Sequence, residues 1–208
     1  MSDVSWLLFL IASIVVILTP GQDMILVMSR SLSHGSRAGV VTALGVSTGL
    51  MGHTLLATFG LGAVLQTSEL LFTLLKLAGA AYLLYLGFRL LTNRQAQFVL
   101  EEEKPTSRRR LFAEGALSNL SNPKIALFYF AFLPQFIPSS AERPTWMLLA
   151  LGTTFSALTF LIKGPIGLFA GYLSGWIRQR PQALAWLFRC SGITLIGLGL
   201  RLALAERR

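Results

Sequence analysis

Thr19-Pro20-Gly21-Gln22-Asp23 interrupts an apolar run that extends from about Val4 to Met28. About one hundred residues on, Asn119-Leu120-Ser121-Asn122-Pro123-Lys124 interrupts another, from Leu111 to Ile137. Each stretch sets a helix breaker, hydrogen-bonding side chains and an ionisable residue inside sequence that is otherwise lipid-soluble. Proline has no backbone N–H and clashes with the preceding turn. Backbone groups freed at membrane depth are tolerated only inside protein or beside a water-filled cavity. A pair of such breaks at matching places in two halves of a chain points to the substrate site of a transporter.

The rest of the composition agrees with a membrane setting. The 208 residues are 53% hydrophobic and 13% charged, where a soluble domain carries about 25% charge. The runs are continuous and longer than the roughly ten-residue alternating strands of a barrel. An α-helical integral membrane protein of one domain, residues 1–208, is therefore expected. The net charge of +9 does not indicate nucleic-acid binding, because the basic residues cluster at the ends of apolar runs, where topology places them. Cys190 is the single cysteine; it excludes an intrachain disulfide and reads as a small packed residue. The start, Met1-Ser2-Asp3, lacks the positive charge of a signal peptide and the run has no small-residue cleavage site, so it is taken as the first span.

A spanning helix needs about 20 apolar residues. Six are expected: Val4 to Met28, Ala38 to Leu65, Leu70 to Leu91, Leu111 to Ile137, Thr145 to Leu173 with Gly164-Pro165 inside, and Ala183 to Leu204. The connections are Ser29 to Arg37, Gln66 to Glu69, Thr92 to Arg110, Pro138 to Pro144 and Ser174 to Gln182. Glu101-Glu102-Glu103 and Arg108-Arg109-Arg110 read as a solvated loop with a basic anchor. Ten Lys and Arg residues fall on the first, third and fifth connections and their flanks, against four on the other side. The first set is therefore cytoplasmic and both termini are periplasmic.

The chain also repeats. Lys76-x-x-Gly79 followed by Leu86-Gly87-Phe88-Arg89-Leu90 matches Arg189-x-x-Gly192 followed by Leu198-Gly199-Leu200-Arg201-Leu202. Pro20 and Pro123 fall at corresponding places. Residues 1–91 and 111–208 thus read as two three-helix repeats, joined by a cytoplasmic loop over 92–110. An odd number of spans per repeat turns the second copy upside down, the inverted arrangement of secondary transporters.

Leu18-Thr19-Pro20-Gly21-Gln22-Asp23-Met24, Gly35-Ser36-Arg37-Ala38-Gly39, Leu75 to Gly87, and Asn119 to Lys124 leading to Leu133-Pro134-Gln135-Phe136 together resemble the LysE/RhtB amino-acid exporter family. The resemblance implies a bacterial inner-membrane carrier that exports amino acids, with export coupled to proton entry. The family commonly has a second proline after Thr-Pro-Gly. Gln22 stands there in this chain, which leaves the fold assignment intact and the substrate open.

Asp23 leads the candidate site, because a carboxylate inside a span faces a cavity or a partner. It would hold a substrate ammonium or take up the coupling proton. Lys124 would pair with Asp23 or meet a substrate carboxylate. Asn119 and Asn122 offer amides where the helix is broken, as ligands or as local caps. Lys163 would line the cavity, balance Asp23, or snorkel. Thr19, Pro20, Gly21, Gln22 and Pro123 complete the breaks, and the helix restarting near Pro20-Gly21 presents N–H groups suited to a carboxylate. His53 reads as a packed, hydrogen-bonded residue, with proton relay as the alternative. Tyr82 and Tyr85 read as packing residues, and Lys76 and Arg189 as snorkelling. Gly45-x-x-x-Gly49 and Gly167-x-x-x-Gly171-x-x-x-Gly175 allow close helix approach, within one chain by default, with a homodimer left open.

No zinc motif, nucleophile elbow or Walker motif is present. An enzyme, a resident metal and a cofactor are not expected, and energy would come from an ion gradient. The competing expectation is a membrane-embedded scaffold or assembly protein, which would not require ionisable residues at the helix breaks.

Overall fold

The computed structural model describes residues 6–61, 69–92, 106–138, 141–179 and 181–204. Glu101 to Lys104 and the connection at 66–68 lie outside them. Among the described residues the chain is all helix and turn, with no strand. Helix α1 (Trp6–Leu18) and α2 (Gln22–His34) are separated by the Pro20 break and bent by 53°. Helix α3 (Ser36–Leu56) follows Gly35 directly and runs on into a π turn, Ala57–Leu61. Gly35 has φ 87°, a left-handed conformation that glycine adopts without a side-chain clash. Helix α4 spans Glu69–Thr92. Helix α5 (Arg108–Leu120) stops before the second break. Helix α6 (Pro123–Leu127) continues through a π turn, Phe128–Phe132, into a 3₁₀ turn, Leu133–Phe136. Helices α7 (Pro144–Leu168), α8 (Ala170–Gln179) and α9 (Pro181–Leu204) complete the described chain.

Several local expectations are corrected. Ser29 to His34 belong to α2, because nothing breaks that helix before Gly35. Arg108, Arg109 and Arg110 form the first turn of α5, where Ser107 caps the helix by accepting from the Arg110 backbone N–H. The fifth run is not one helix to Leu173. Helix α7 passes through Pro165 and stops at Leu168, and the Phe169 N–H closes its last turn on the Pro165 carbonyl. Cys190 is exposed rather than packed.

Burial is inverted relative to a water-soluble protein. Leu7, Phe59, Trp146, Leu161 and Tyr172 are each more than 60% exposed, while Asp23, Asn119, Lys124, Thr159 and Lys163 are buried. Such an apolar exterior suits a lipid environment. Two of the described helices, α3 with most of its π turn and α7, are long and apolar enough to cross a membrane, and the bent α1–α2 pair makes a third.

An aromatic core holds the breaks in place. Phe128 stacks on Phe155 at 4.6 Å between ring centroids, and Phe9 meets Phe136 edge-on at 5.4 Å. The Tyr129 hydroxyl donates to the Gly152 carbonyl at 3.2 Å and accepts from Thr54 at 3.2 Å.

Helices α3 and α7 pack through glycine. A Cβ on Gly39 would lie 2.8 Å from the Gly167 carbonyl oxygen, and one on Gly167 would lie 2.7 Å from the Gly39 carbonyl carbon. Helices α4 and α9 meet in the same reciprocal way. A Cβ on Gly87 would lie 2.7 Å from the Gly192 oxygen, and one on Gly192 would lie 2.8 Å from the Gly87 oxygen. Gly45 and Gly49 pack within the chain, against the α5 backbone at Phe112 and Ala116. A Cβ on Gly171 or Gly175 would meet nothing within 4 Å, so among the described residues the expected Gly167-Gly171-Gly175 stripe makes close helix approach at its first member. Gly167→Val should push backbone against backbone and destabilise the protein by about 1–3 kcal/mol. Thermal melting in detergent checks this, with Gly171→Ala expected to melt like wild type.

Candidate functional site

The site is assembled from the two breaks. In α1 the Thr19 N–H bonds the Val15 carbonyl at 2.9 Å. The next bond of the ladder would run from residue 20 to the Val16 carbonyl, and Pro20 has no N–H to give. Lys124 fills the gap from the other half of the chain. Its ammonium donates to the Val16 oxygen at 3.2 Å and to the Thr19 oxygen at 3.1 Å. Gly21 leaves room for that side chain, since a Cβ there would stand 3.2 Å from Lys124 Nζ. At the second break, Pro123 begins α6 at its first turn, where a missing N–H costs nothing. Asn122 caps that turn, its side-chain oxygen accepting from the Lys124 backbone N–H at 3.1 Å.

Asp23 sits one residue into α2, 2% exposed. Its Oδ2 accepts from Asn119 Nδ2 at 2.8 Å and from Lys163 Nζ at 3.2 Å. The cation paired with Asp23 is thus Lys163, on α7, rather than Lys124, whose protons go to carbonyl oxygens. The other carboxylate oxygen, Asp23 Oδ1, is buried without a close donor among the described residues, and so is Asn119 Oδ1. His53, on α3, donates from Nε2 to the Asn119 carbonyl at 3.2 Å. Gln22, at the position that sets this chain apart from the Thr-Pro-Gly-Pro pattern, donates to the Ser118 carbonyl at 3.3 Å and hydroxyl at 3.1 Å.

All ten residues singled out in the sequence therefore fall at or beside the two breaks, with Lys163 reaching in from α7. Three further contacts carried no advance signal, because each depends on which helices become neighbours. Ser118 anchors Gln22. Ser31 donates to the Gly167 carbonyl at 2.5 Å. Glu114 bridges α2 and α5, meeting Arg30 at 3.1 Å and Arg110 at 2.9 Å. No group of three or more metal-ligating side chains occurs among the described residues.

Comparison with known proteins decides the family. The family model described as LysE type translocator matches residues 14–206. This chain belongs to the LysE family. A homoserine/homoserine lactone efflux protein of Salmonella typhimurium is 33% identical to it over 97% of each chain. A leucine efflux protein of Klebsiella pneumoniae is 27% identical over 96% of this chain and 94% of its own. A membrane protein of Vibrio cholerae, named only as such, is 32% identical over 97% of each. No solved structure matches significantly. The LysE assignment makes the protein a membrane translocator and not an enzyme. The buried ion pair of Asp23 and Lys163 lies beside the first break, and Asn119 reaches it from the second.

Proposed function

We propose that this LysE-family protein exports amino acids or related small zwitterions from the cytoplasm as a secondary transporter. The observation that carries the reading is Asp23: a buried carboxylate at a broken helix, paired with Lys163 and Asn119. Relatives named for homoserine/homoserine lactone efflux and for leucine efflux support amino acids as the substrate class.

In this reading the chain is one transmembrane domain in a bacterial inner membrane, built as two inverted three-helix repeats, 1–91 and 111–208. The reciprocal glycine contacts between α3 and α7, and between α4 and α9, support it, because repeat mates pack on each other across a two-fold axis. Arg30 and Arg110 belong to the expected cytoplasmic set, and their shared contact with Glu114 supports one cytoplasmic end and periplasmic termini. Asp23, Lys163 and Asn119 contact the substrate. Thr19, Pro20, Gly21, Gln22, Asn122, Pro123 and Lys124 shape the breaks around them. Proton entry drives export, with Asp23 as the group that exchanges the proton.

Amino-acid export from dipeptide-loaded cells tests the reading. Cells producing the protein should release at least one amino acid several-fold faster than cells lacking it. Equal release of every amino acid would leave the scaffold reading instead.

A further inference from the structure

Each proline withdraws an N–H from the carbonyl four residues before it. For Pro20 that carbonyl is Val16, and Lys124 supplies a donor from another helix at 3.2 Å. For Pro123 it is Asn119, at the end of α5. The Asn122 N–H turns back to this carbonyl at 2.9 Å. A second donor again comes from another helix: His53 Nε2, on α3, at 3.2 Å. The two breaks are thus completed in the same way, each by a basic side chain reaching in from elsewhere in the fold.

His53 is 2% exposed. A carbonyl oxygen only accepts, so Nε2 carries a proton. Nδ1 is buried without a partner among the described residues. A second N–H there would lack an acceptor, so the ring is the uncharged Nε2–H form. For a proton the bond leads nowhere, because the Asn119 carbonyl has none to pass on. What the bond does fix is Asn119. Helix α3 holds that residue at two positions one turn apart. Gly49 gives it room, since a Cβ on Gly49 would lie 3.0 Å from the Asn119 Cβ, and His53 takes its carbonyl. Held there, the Asn119 amide donates to Asp23 Oδ2 at 2.8 Å.

We propose that His53 is a positioning residue of the transport site, acting through Asn119. Resting on the export reading, this adds α3 to the helices that build the site, beside α2, α5 and α7. Without the His53 donor the end of α5 relaxes, and the amide loses its aim on Asp23. Proton relay, the alternative open from the sequence, has no onward step from Nε2.

Uptake of leucine and homoserine into everted membrane vesicles containing the full-length protein tests the role, because KM and kcat are then both read from the cytoplasmic face. His53→Leu, which removes the donor, should raise KM about tenfold for a compound that wild type carries. His53→Gln, which keeps an N–H at the place of Nε2 but cannot carry a proton, should return KM to within about threefold of wild type. In an Asn119→Ala background no amide is left to aim, so adding His53→Leu should change KM by less than about twofold. Losses that multiply in the double variant would overturn the proposal and leave export intact. So would a His53→Gln protein as impaired as His53→Leu, since the ring itself would then be required. A wild type that carries neither compound removes the export reading for these substrates, and the inference with it. Should the variants not fold or not transport, the wild-type ring decides. His34→Gln leaves His53 as the single histidine. Nitrogen NMR of that protein in detergent at mildly alkaline pH should show the Nε2–H form, and the Nδ1–H form would overturn the proposal.

Discussion

Asp23→Asn should lower amino-acid export at least about tenfold at matched membrane abundance, with the protein still folded. The amide keeps the shape of the side chain and an acceptor for Lys163, which limits the cost of leaving that buried ammonium without its counter-charge. What it loses is the negative charge. A hydrogen bond to a charged group is worth about 1.5–3 kcal/mol, and each 1.4 kcal/mol is about tenfold in affinity. A substrate ammonium therefore loses its strongest contact, and a proton loses its acceptor. Release assays from dipeptide-loaded cells, normalised to protein in the membrane, give the result directly. Wild-type export by the variant would remove Asp23 from both binding and coupling. Asp23→Ala is the harsher change, because it also leaves Lys163 and Asn119 without their shared acceptor.

Lys124→Met should act on folding rather than on transport alone. It leaves the carbonyl oxygens of Val16 and Thr19 without a donor in a buried site. Each unsatisfied acceptor costs about 1–3 kcal/mol, so the variant should melt well below wild type in detergent and accumulate several-fold less in membranes. Pro20→Ala in the same background returns the backbone N–H that the Val16 carbonyl lacks, and should recover part of the loss. That partial rescue separates a lysine that completes a helix from one that binds substrate, since a substrate ligand gains nothing from residue 20. A Lys124→Met protein that melts like wild type would instead leave the ammonium available to substrate.

Asp23 and Lys124 also show how far the site is legible in the sequence. Proline inside an apolar run marks a candidate break from sequence alone, and charge beside it marks a candidate polar centre, because neither is tolerated in lipid without a reason. Which charge meets which is another matter. Lys124 adjoins the second break and is the natural partner for Asp23 on sequence grounds. The bend of 53° between α1 and α2 instead leaves carbonyls in its reach, and the carboxylate is met by Lys163 from α7. Gln22 presents itself as a departure from a family pattern; only the approach of α5 gives its amide a partner, in Ser118. Pro165 behaves unlike Pro20. Both lie inside apolar runs, yet α7 continues through Pro165 to Leu168 while α1 ends at Leu18. Local residue type gives the tendency to break, and packing of the surrounding helix decides whether the break occurs.

The sequence by itself determined the class of this protein: helices for a lipid environment, interrupted at Pro20 and Pro123, with ionisable groups at the interruptions and the motifs of the LysE family. These follow from composition, proline chemistry and spacing, all of which act locally along the chain. Only the tertiary structure decided the ion pair. Asp23 and Lys163 are separated by 140 residues, and the preference of a buried carboxylate for one lysine over another depends on which carbonyls have already claimed the other.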